Sequence, residues 1–193
     1  MVLFPIPIRR ACGWRPILSD RRGATIVEFA LVATPFILLL IAIIQTSLAY
    51  LAQEALESAV QVAARGVVTG QAQASDVKGS STGMTSAQLA ERFRINGCAA
   101  LPSFMSCSRL YVDVKSAATG AGLGGNAMPL TFDDNGKPSN AFSYDLGTQG
   151  SMVMIRFIYL WPMRVAPTAG TKAGSTGQTV LMATSVAKSE VYT

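Results

Sequence analysis

The sequence predicts an α+β protein, in which a long N-terminal transmembrane helix extends into a small exported domain. Three observations favour this class. No Lys, Arg, Asp or Glu occurs from Phe29 to Leu51, and about 20 apolar residues are enough to cross a hydrocarbon core. An amphipathic helical pattern follows this run directly. Further on, a short helical pattern precedes three strand-like runs, which predict an approximately three-stranded antiparallel sheet.

The first 23 residues predict a cytoplasmic leader. They carry five arginines, among them Arg21 and Arg22, against the single acid Asp20, whereas acids and bases nearly balance after the apolar run. Basic residues stay on the cytoplasmic side of a membrane, so the N-terminus is predicted to be cytoplasmic and the C-terminal domain exported. No aromatic-basic surface accompanies the arginines, and no nucleic-acid partner is predicted.

Residues 24–70 predict one helix, which spans the membrane over about 26–50. Pro35 lies in the membrane half, where it is either a tolerated membrane proline or a flexible point used when the helix leaves the bilayer. Gly66 and Gly70 are candidate stop signals. In the second half, small and apolar residues recur at i, i+4 spacing. The predicted buried rows are Leu48, Ala52, Leu56, Val60 and Ala64, with Ala55, Ala59 and Ala63 beside them.

Residues 71–84 predict a polar linker, and residues 85–193 the exported α+β domain. Thr85 and Gln88 have the spacing of a capping box that opens a short helix, with Leu89 and Phe93 on its buried face. The acidic turn sequence Asp133–Gly136 predicts a hairpin tip. Strands are predicted at 110–115, 151–160 and 179–188, although the last run could be mistaken for a helix.

The composition argues against enzymatic chemistry. The chain has no His, which removes the commonest general base and zinc ligand. The Asp133 turn lacks the final glutamate of a calcium-binding EF-hand loop. No nucleophile–base pair, metal cluster or phosphate loop is visible, so we predict no catalytic residues, no metal and no cofactor. Cys98 and Cys107 lie on the exported side, where they either form one intrachain disulfide or remain free thiols.

One local constellation carries chemistry: Gly23, then Ala24, then the lone acid Glu28 at the start of the apolar helix. An ionised side chain costs about 2.5–3.5 kcal/mol at the centre of a bilayer. Glu28 either reaches the headgroups or favours the positive end of the helix. Alternatively, the chain is cut after Gly23. The new amine of Ala24, with an ordinary pKa of about 8, would then be cationic and could pair with Glu28 of another subunit.

This arrangement resembles a type IV prepilin, whose peptidase cuts after a glycine on the cytoplasmic face and spares a glutamate at the fifth mature position. Residues 23–36 and 63–70 are similar to the TadE-like family, pseudopilins of the tight-adherence (Tad, or Flp) pilus system. Three later features also look like this family. They are the Cys98 and Cys107 pair before a Tyr-Val-Asp-Val strand, Tyr159–Pro162, and Lys188–Glu190.

The resemblance implies a type IV pilin-like fold and a structural role, with Gly23 and Ala24 as the processing site and Glu28 as the subunit-pairing residue. The implied location is the bacterial inner membrane, as a single-pass protein that could be incorporated in a pilus. The implied partners are a prepilin peptidase, other pilins and pseudopilins, the pilus assembly machinery and membrane lipid.

Other interpretations fit the N-terminus less well. Arg21 and Arg22 allow a twin-arginine export signal, but the long apolar run disfavours it. A removed secretory signal is disfavoured because the run exceeds a usual h-region and Glu28 interrupts its start. An unprocessed single-pass protein, whose exported domain binds another component, remains the alternative to a pilus subunit.

Overall fold

The computed structural model describes residues 23–123, 130–162, 172–173 and 178–190. The chain divides into two compact units, Met1–Ile43 and Ile44–Thr193, and the first helix contributes to both. The predicted α+β class is confirmed. The elements are helices α1 (Ala24–Val68), α2 (Gln71–Ser81) and α3 (Ser86–Ala99), and strands β1 (Leu110–Ala117), β2 (Met152–Pro162), β3 (Lys172–Ala173) and β4 (Gln178–Lys188).

The second half of α1 buries the rows that its apolar spacing predicts. Ala52, Leu56 and Val60 are fully buried, and Ala59 and Ala64 lie in the same core cluster. Leu48 differs from the prediction because it is 44% exposed. The core cluster of the described residues begins about one turn later, at Ala52.

A glycine separates α1 from α2. Gly70 has φ 74°, a left-handed conformation that glycine adopts at no steric cost. Its N–H donates to the carbonyl of Val67 at 3.2 Å. Gly66, the other predicted stop signal, lies inside the helix, so only Gly70 ends it.

The structure differs from the prediction at residues 71–84, where α2 replaces the expected polar linker. The sequence of α2 lacks an apolar repeat. Its only buried residues are Gln73 and Gly79. Its packing depends on a distant partner: Asp76 forms an ion pair of 2.8 Å with Arg92 of α3. A contact of this kind carries no local sequence signal.

Helix α3 begins with the predicted capping box. The Thr85 hydroxyl accepts from the Gln88 N–H at 3.4 Å, and the Gln88 side chain accepts from the Thr85 N–H at 2.9 Å. These two bonds satisfy donors that a helix start leaves unpaired. Leu89 and Phe93 are buried, as predicted.

The sheet has the order β1-β2-β4-β3, with antiparallel neighbours throughout. The three predicted strands are confirmed, and the two-residue β3 extends the edge. One face of β2 carries Val153, Ile155, Phe157 and Tyr159 into the same core cluster as α1. The sheet therefore packs on the second half of the long helix, as predicted.

The opposite face of the sheet carries a buried ion pair. Asp113 of β1 and Arg156 of β2 are register partners, with 3.1 Å between Asp113 Oδ2 and Arg156 Nη2. Both residues are at most 5% exposed. Asp113 Oδ1 also accepts from the N–H and the hydroxyl of Ser143, at 2.9 and 3.0 Å. Through these two bonds Asp113 holds the loop before β2 against β1, at the edge of the sheet.

The acidic turn forms where the sequence predicts it. Asp133 Oδ1 accepts from the N–H groups of Asn135 and Lys137, and Gly136 adopts φ 71°. A bridge between Phe132 and Pro138 closes the hairpin.

Candidate functional site

The described residues leave open space beside Cα of Gly23, at the N-terminal end of α1. Helix α1 begins at the next residue, Ala24. A Cβ atom placed on Gly23 would meet nothing within 4 Å. No described side chain therefore lies within 4 Å of that position. The assignment of Gly23 and Ala24 as a processing site stays a prediction.

Glu28 lies one helical turn after Ala24 on an exposed part of α1. Its neighbours Ile26, Val27 and Phe29 are 65–74% exposed, so the carboxylate projects from an apolar surface. Within the described ranges, Glu28 has no ion-pair partner closer than 4.0 Å. In a bilayer an unpaired carboxylate is costly, and the pairing of Glu28 with the amine of another subunit stays a prediction.

The rest of the first unit presents apolar side chains outward. In the part of the chain that the structure describes, one helix is long and apolar enough to cross a membrane, over Thr25–Val68. Its exposed apolar residues in the first unit include Leu31, Val32, Phe36, Ile37, Leu38, Leu39 and Ile43. Such a surface suits lipid or other apolar helices.

Pro35 lies inside α1 without ending it. Proline cannot donate the backbone hydrogen bond that its position requires. The Thr34 hydroxyl donates to the carbonyl of Ala30 at 2.7 Å, and side-chain bonds of this kind help a membrane helix to tolerate proline. The continuous helix fits a tolerated membrane proline, and the flexible-point interpretation stays a prediction. Arg21 and Arg22, the predicted topology signal, lie outside the described residues.

Gly23, the lone acid Glu28 and the apolar part of α1 all fall within the match to one family model. Residues 23–65 match the family of TadE-like proteins. The resemblance predicted from the N-terminal residues is therefore confirmed over this TadE-like segment (residues 23–65). The match supports a component associated with the Tad pilus. No curated protein and no solved structure shows significant similarity to the chain.

Beyond the TadE-like segment, the predicted pairing of Cys98 and Cys107 is present as a disulfide. It joins the last turn of α3 to the residues just before β1. Arg94 supports the same junction by donating to the carbonyl of Cys107 and to the carboxylate of Glu91. The hydrogen bond from Arg94 lowers the pKa of Glu91. The disulfide and Arg94 together hold α3 against the start of the sheet.

A groove between α1, α2 and α3 is the feature that sequence reasoning missed. Its volume is about 270 Å³. The TadE-like segment contributes Ala59, Val62 and Ala63 to its lining, and Gly66 follows one turn later. Helices α2 and α3 contribute Gln71, Ala72, Ser75, Asp76, Arg92, Phe93, Asn96, Gly97 and Ala100. The small residues of α1 and the helical pattern of α3 were visible in the sequence, but α2, which forms the remaining wall, was not.

The polar wall of this groove is a connected cluster. Asp76 accepts from Arg92 at 2.8 Å and from the hydroxyl of Tyr144 at 2.7 Å. The Tyr144 ring packs on Phe93 with 5.5 Å between centroids. Burial, together with the hydrogen bond to Asp76, raises the pKa of Tyr144 above its usual range. The phenol therefore stays protonated and donates to Asp76 at neutral pH. Among the described residues, no group of three or more His, Cys, Asp and Glu is placed to hold a metal ion.

Proposed function

We propose that this protein is a minor pilin or pseudopilin of a Tad/Flp-type pilus, cleaved after Gly23 by a prepilin peptidase. It is a single-pass protein of the bacterial inner membrane, with its N-terminus in the cytoplasm and its C-terminal unit exported. The observation that carries the proposal is Glu28. It is an exposed carboxylate without an ion partner among the described residues, one turn after Ala24, in a TadE-like segment that is otherwise apolar.

Cleavage would supply a positive counter-charge for the Glu28 carboxylate. Hydrolysis of the peptide bond after Gly23 creates an ammonium group on Ala24, which is cationic at neutral pH. This ammonium of one subunit pairs with Glu28 of a neighbour. Because an unpaired charge is penalised where water is excluded, the pair sets the axial register of adjacent helices. The protein acts as a structural part, with the peptidase, other pilins and pseudopilins, the assembly machinery and lipid as partners.

The decisive experiment is the intact mass of the protein isolated from its membrane, with and without the cognate prepilin peptidase. Loss of residues 1–23 only when the peptidase is present supports the proposal. A protein that still begins at Met1 in the presence of the peptidase contradicts it.

We expect Gly23→Ala to reduce cleavage at least about tenfold, which corresponds to roughly 1.4 kcal/mol. The peptidase must approach the backbone at this residue, and a methyl group obstructs that approach. Gly13→Ala makes the same change elsewhere in the leader and should leave cleavage unchanged. The ratio of full-length to mature protein on an immunoblot measures both. A wild-type ratio in Gly23→Ala would refute the cleavage assignment.

We expect Glu28→Gln to be cleaved and to remain in the membrane, but to enter pili about tenfold less than wild type, because the neutral amide cannot balance the ammonium group. The amount of the protein in sheared pili, relative to the membrane pool, measures this loss. Asp134→Asn also replaces an exposed carboxylate by its amide, in the turn before Gly136, and serves as the matched control. Wild-type incorporation of Glu28→Gln would remove the pairing role.

The groove beside α3 favours a second candidate function. An unprocessed single-pass protein could use the groove of its exported unit as a binding module. The same mass measurement separates the two candidates, since this alternative requires an intact leader.

A further inference from the structure

After the apolar segment, the exposed side of α1 carries acidic residues close to that segment (the lower part) and a basic residue farther along the helix (the upper part). Glu54 and Glu57 lie on the lower part, with the aromatic Tyr50 one turn below Glu54, and Arg65 lies on the upper part. All four residues are exposed, and Tyr50 is 71% exposed. None of the three charged residues forms an ion pair within the described ranges. Glu57 only accepts from Gln53 of its own helix, at 2.8 Å.

The spacing of these charges prevents them from meeting within one helix. Arg65 follows Glu54 by eleven residues, which is three turns, or about 16 Å along the axis. Three turns also return to the same side of the helix. Glu54 and Arg65 therefore stand on one line of α1, where each can face a neighbouring molecule.

The groove lies beside Arg65 at the height that such a neighbour would reach. Its floor on α1 runs from Ala59 through Val62 to Gly66, and Phe93 and Asn96 of α3 stand opposite. A cavity of about 150 Å³ is enough to hold benzene, so the groove, at about 270 Å³, has room for an aromatic ring. An apolar floor with the Asn96 amide at its wall suits a side chain that has a ring and a polar tip.

We propose that the groove receives Tyr50 of a second copy of this chain, while Glu54 of that copy pairs with Arg65. One displacement satisfies both contacts. A parallel neighbour shifted by eleven residues places its Glu54 beside Arg65 and its Tyr50 beside residue 61, within the height of the groove floor. The acidic edge of one copy thus meets the basic edge and groove of the next, and the contact can repeat from copy to copy.

The required shift ties the contact to an assembly. Copies that rest at one height in a bilayer would place Glu54 beside Glu54, a like-charge contact that is unfavourable. The inference therefore rests on the proposed function, which provides neighbours displaced along the helix axis. The pairing of Glu28 with the Ala24 ammonium needs a shift of only about one turn, so it involves a different neighbour.

Cysteine cross-linking in cells with the complete pilus system tests the register. Ser47 and Ser58 are exposed and also eleven residues apart. Ser47→Cys with Ser58→Cys should give a ladder of covalent multimers on a non-reducing gel, because each copy offers both positions to different neighbours. Ser47→Cys with Ser80→Cys, which places the second thiol on α2 outside the groove, is the matched control and should give no ladder.

The contact itself is tested in the same cross-linking background. Tyr50→Ala should reduce the ladder about tenfold, since it removes the ring from the groove. Glu54→Arg or Arg65→Glu alone should reduce it about fivefold, and the two together should restore it. Intact mass in each sample reports cleavage independently. A cleaved and assembled protein with no ladder, a dimer from Ser58→Cys alone, or cross-links to a different protein would each overturn the contact while leaving the proposed function in place.

Discussion

Replacing Asp113 by alanine is expected to lower the free energy of unfolding by about 3–5 kcal/mol. Asp113 is 1% exposed and lies 3.1 Å from Arg156, which is itself buried. Removing the carboxylate leaves the guanidinium of Arg156 buried without its counter-charge. Its Nε atom already has no hydrogen-bond partner in the part of the chain that the structure describes. The variant also removes the acceptor of the Ser143 N–H, whereas the Ser143 hydroxyl keeps the carbonyl of Val114 at 3.2 Å.

Urea unfolding of the protein in detergent measures this loss. In a Trp14→Phe background Trp161 is the only tryptophan, and it packs against Phe104 and Tyr159, so its fluorescence reports the C-terminal unit. Lys115→Ala is the control, because Lys115 is only 3.9 Å from the same carboxylate but more exposed. We expect it to cost less than about 1 kcal/mol. Equal losses for Asp113→Ala and Lys115→Ala would contradict the role of the buried pair.

A double replacement separates the pair from its members. Asp113→Val with Arg156→Met removes both charges and fills similar space with apolar groups, which is often neutral for stability. It should regain most of the loss caused by Asp113→Ala. A double variant as unstable as the single one would mean that the hydrogen bonds to Ser143, rather than the ion pair, dominate.

Local sequence signals predicted the elements that depend on nearby residues. The i, i+4 row of Ala52, Leu56 and Val60 identifies the buried side of α1 because helix periodicity alone determines it. Thr85 and Gln88 identify the start of α3 for the same reason, since both capping bonds span three residues. Only one intrachain pairing was possible in the part of the chain predicted to be exported, since Cys98 and Cys107 are its only cysteines.

Contacts between distant segments could not be predicted in this way. The pairing of Asp113 with Arg156 depends on the register of β1 against β2, and a shift of one residue would place Arg156 on the other face. Helix α2 is polar, and its contact with α3 through Asp76 and Arg92 spans sixteen residues of sequence. The groove was therefore invisible in the sequence, although the small residues of its floor were not. By contrast, the isolation of Glu28 was predictable because the uncharged run begins immediately after it.

The close approach of α3 to the sheet leads to the second large prediction. Gly97 lies in the last turn of α3, and a Cβ atom there would stand 2.5 Å from Cζ of Phe157. Phe157 is fully buried in the middle of β2, and the disulfide at the adjacent Cys98 restrains α3. Neither group has room to retreat, so Gly97→Ala should overpack the core, at a cost of about 1–3 kcal/mol.

A matched glycine isolates this steric cost. Gly66 is also helical, but a Cβ atom there meets nothing within 4 Å. Gly66→Ala should therefore gain the usual helix preference of alanine over glycine, about 0.5–1 kcal/mol. Because Gly97→Ala receives the same gain, the two variants should differ by the overpacking cost alone, about 1–3 kcal/mol in the Trp161 assay. Phe157→Leu in the Gly97→Ala background makes room for the methyl group and should recover part of the loss. If Gly97→Ala were as stable as Gly66→Ala, α3 would have to lie farther from Phe157 than the 2.5 Å between Cβ and Cζ implies, and the close packing of α3 on β2 would be refuted.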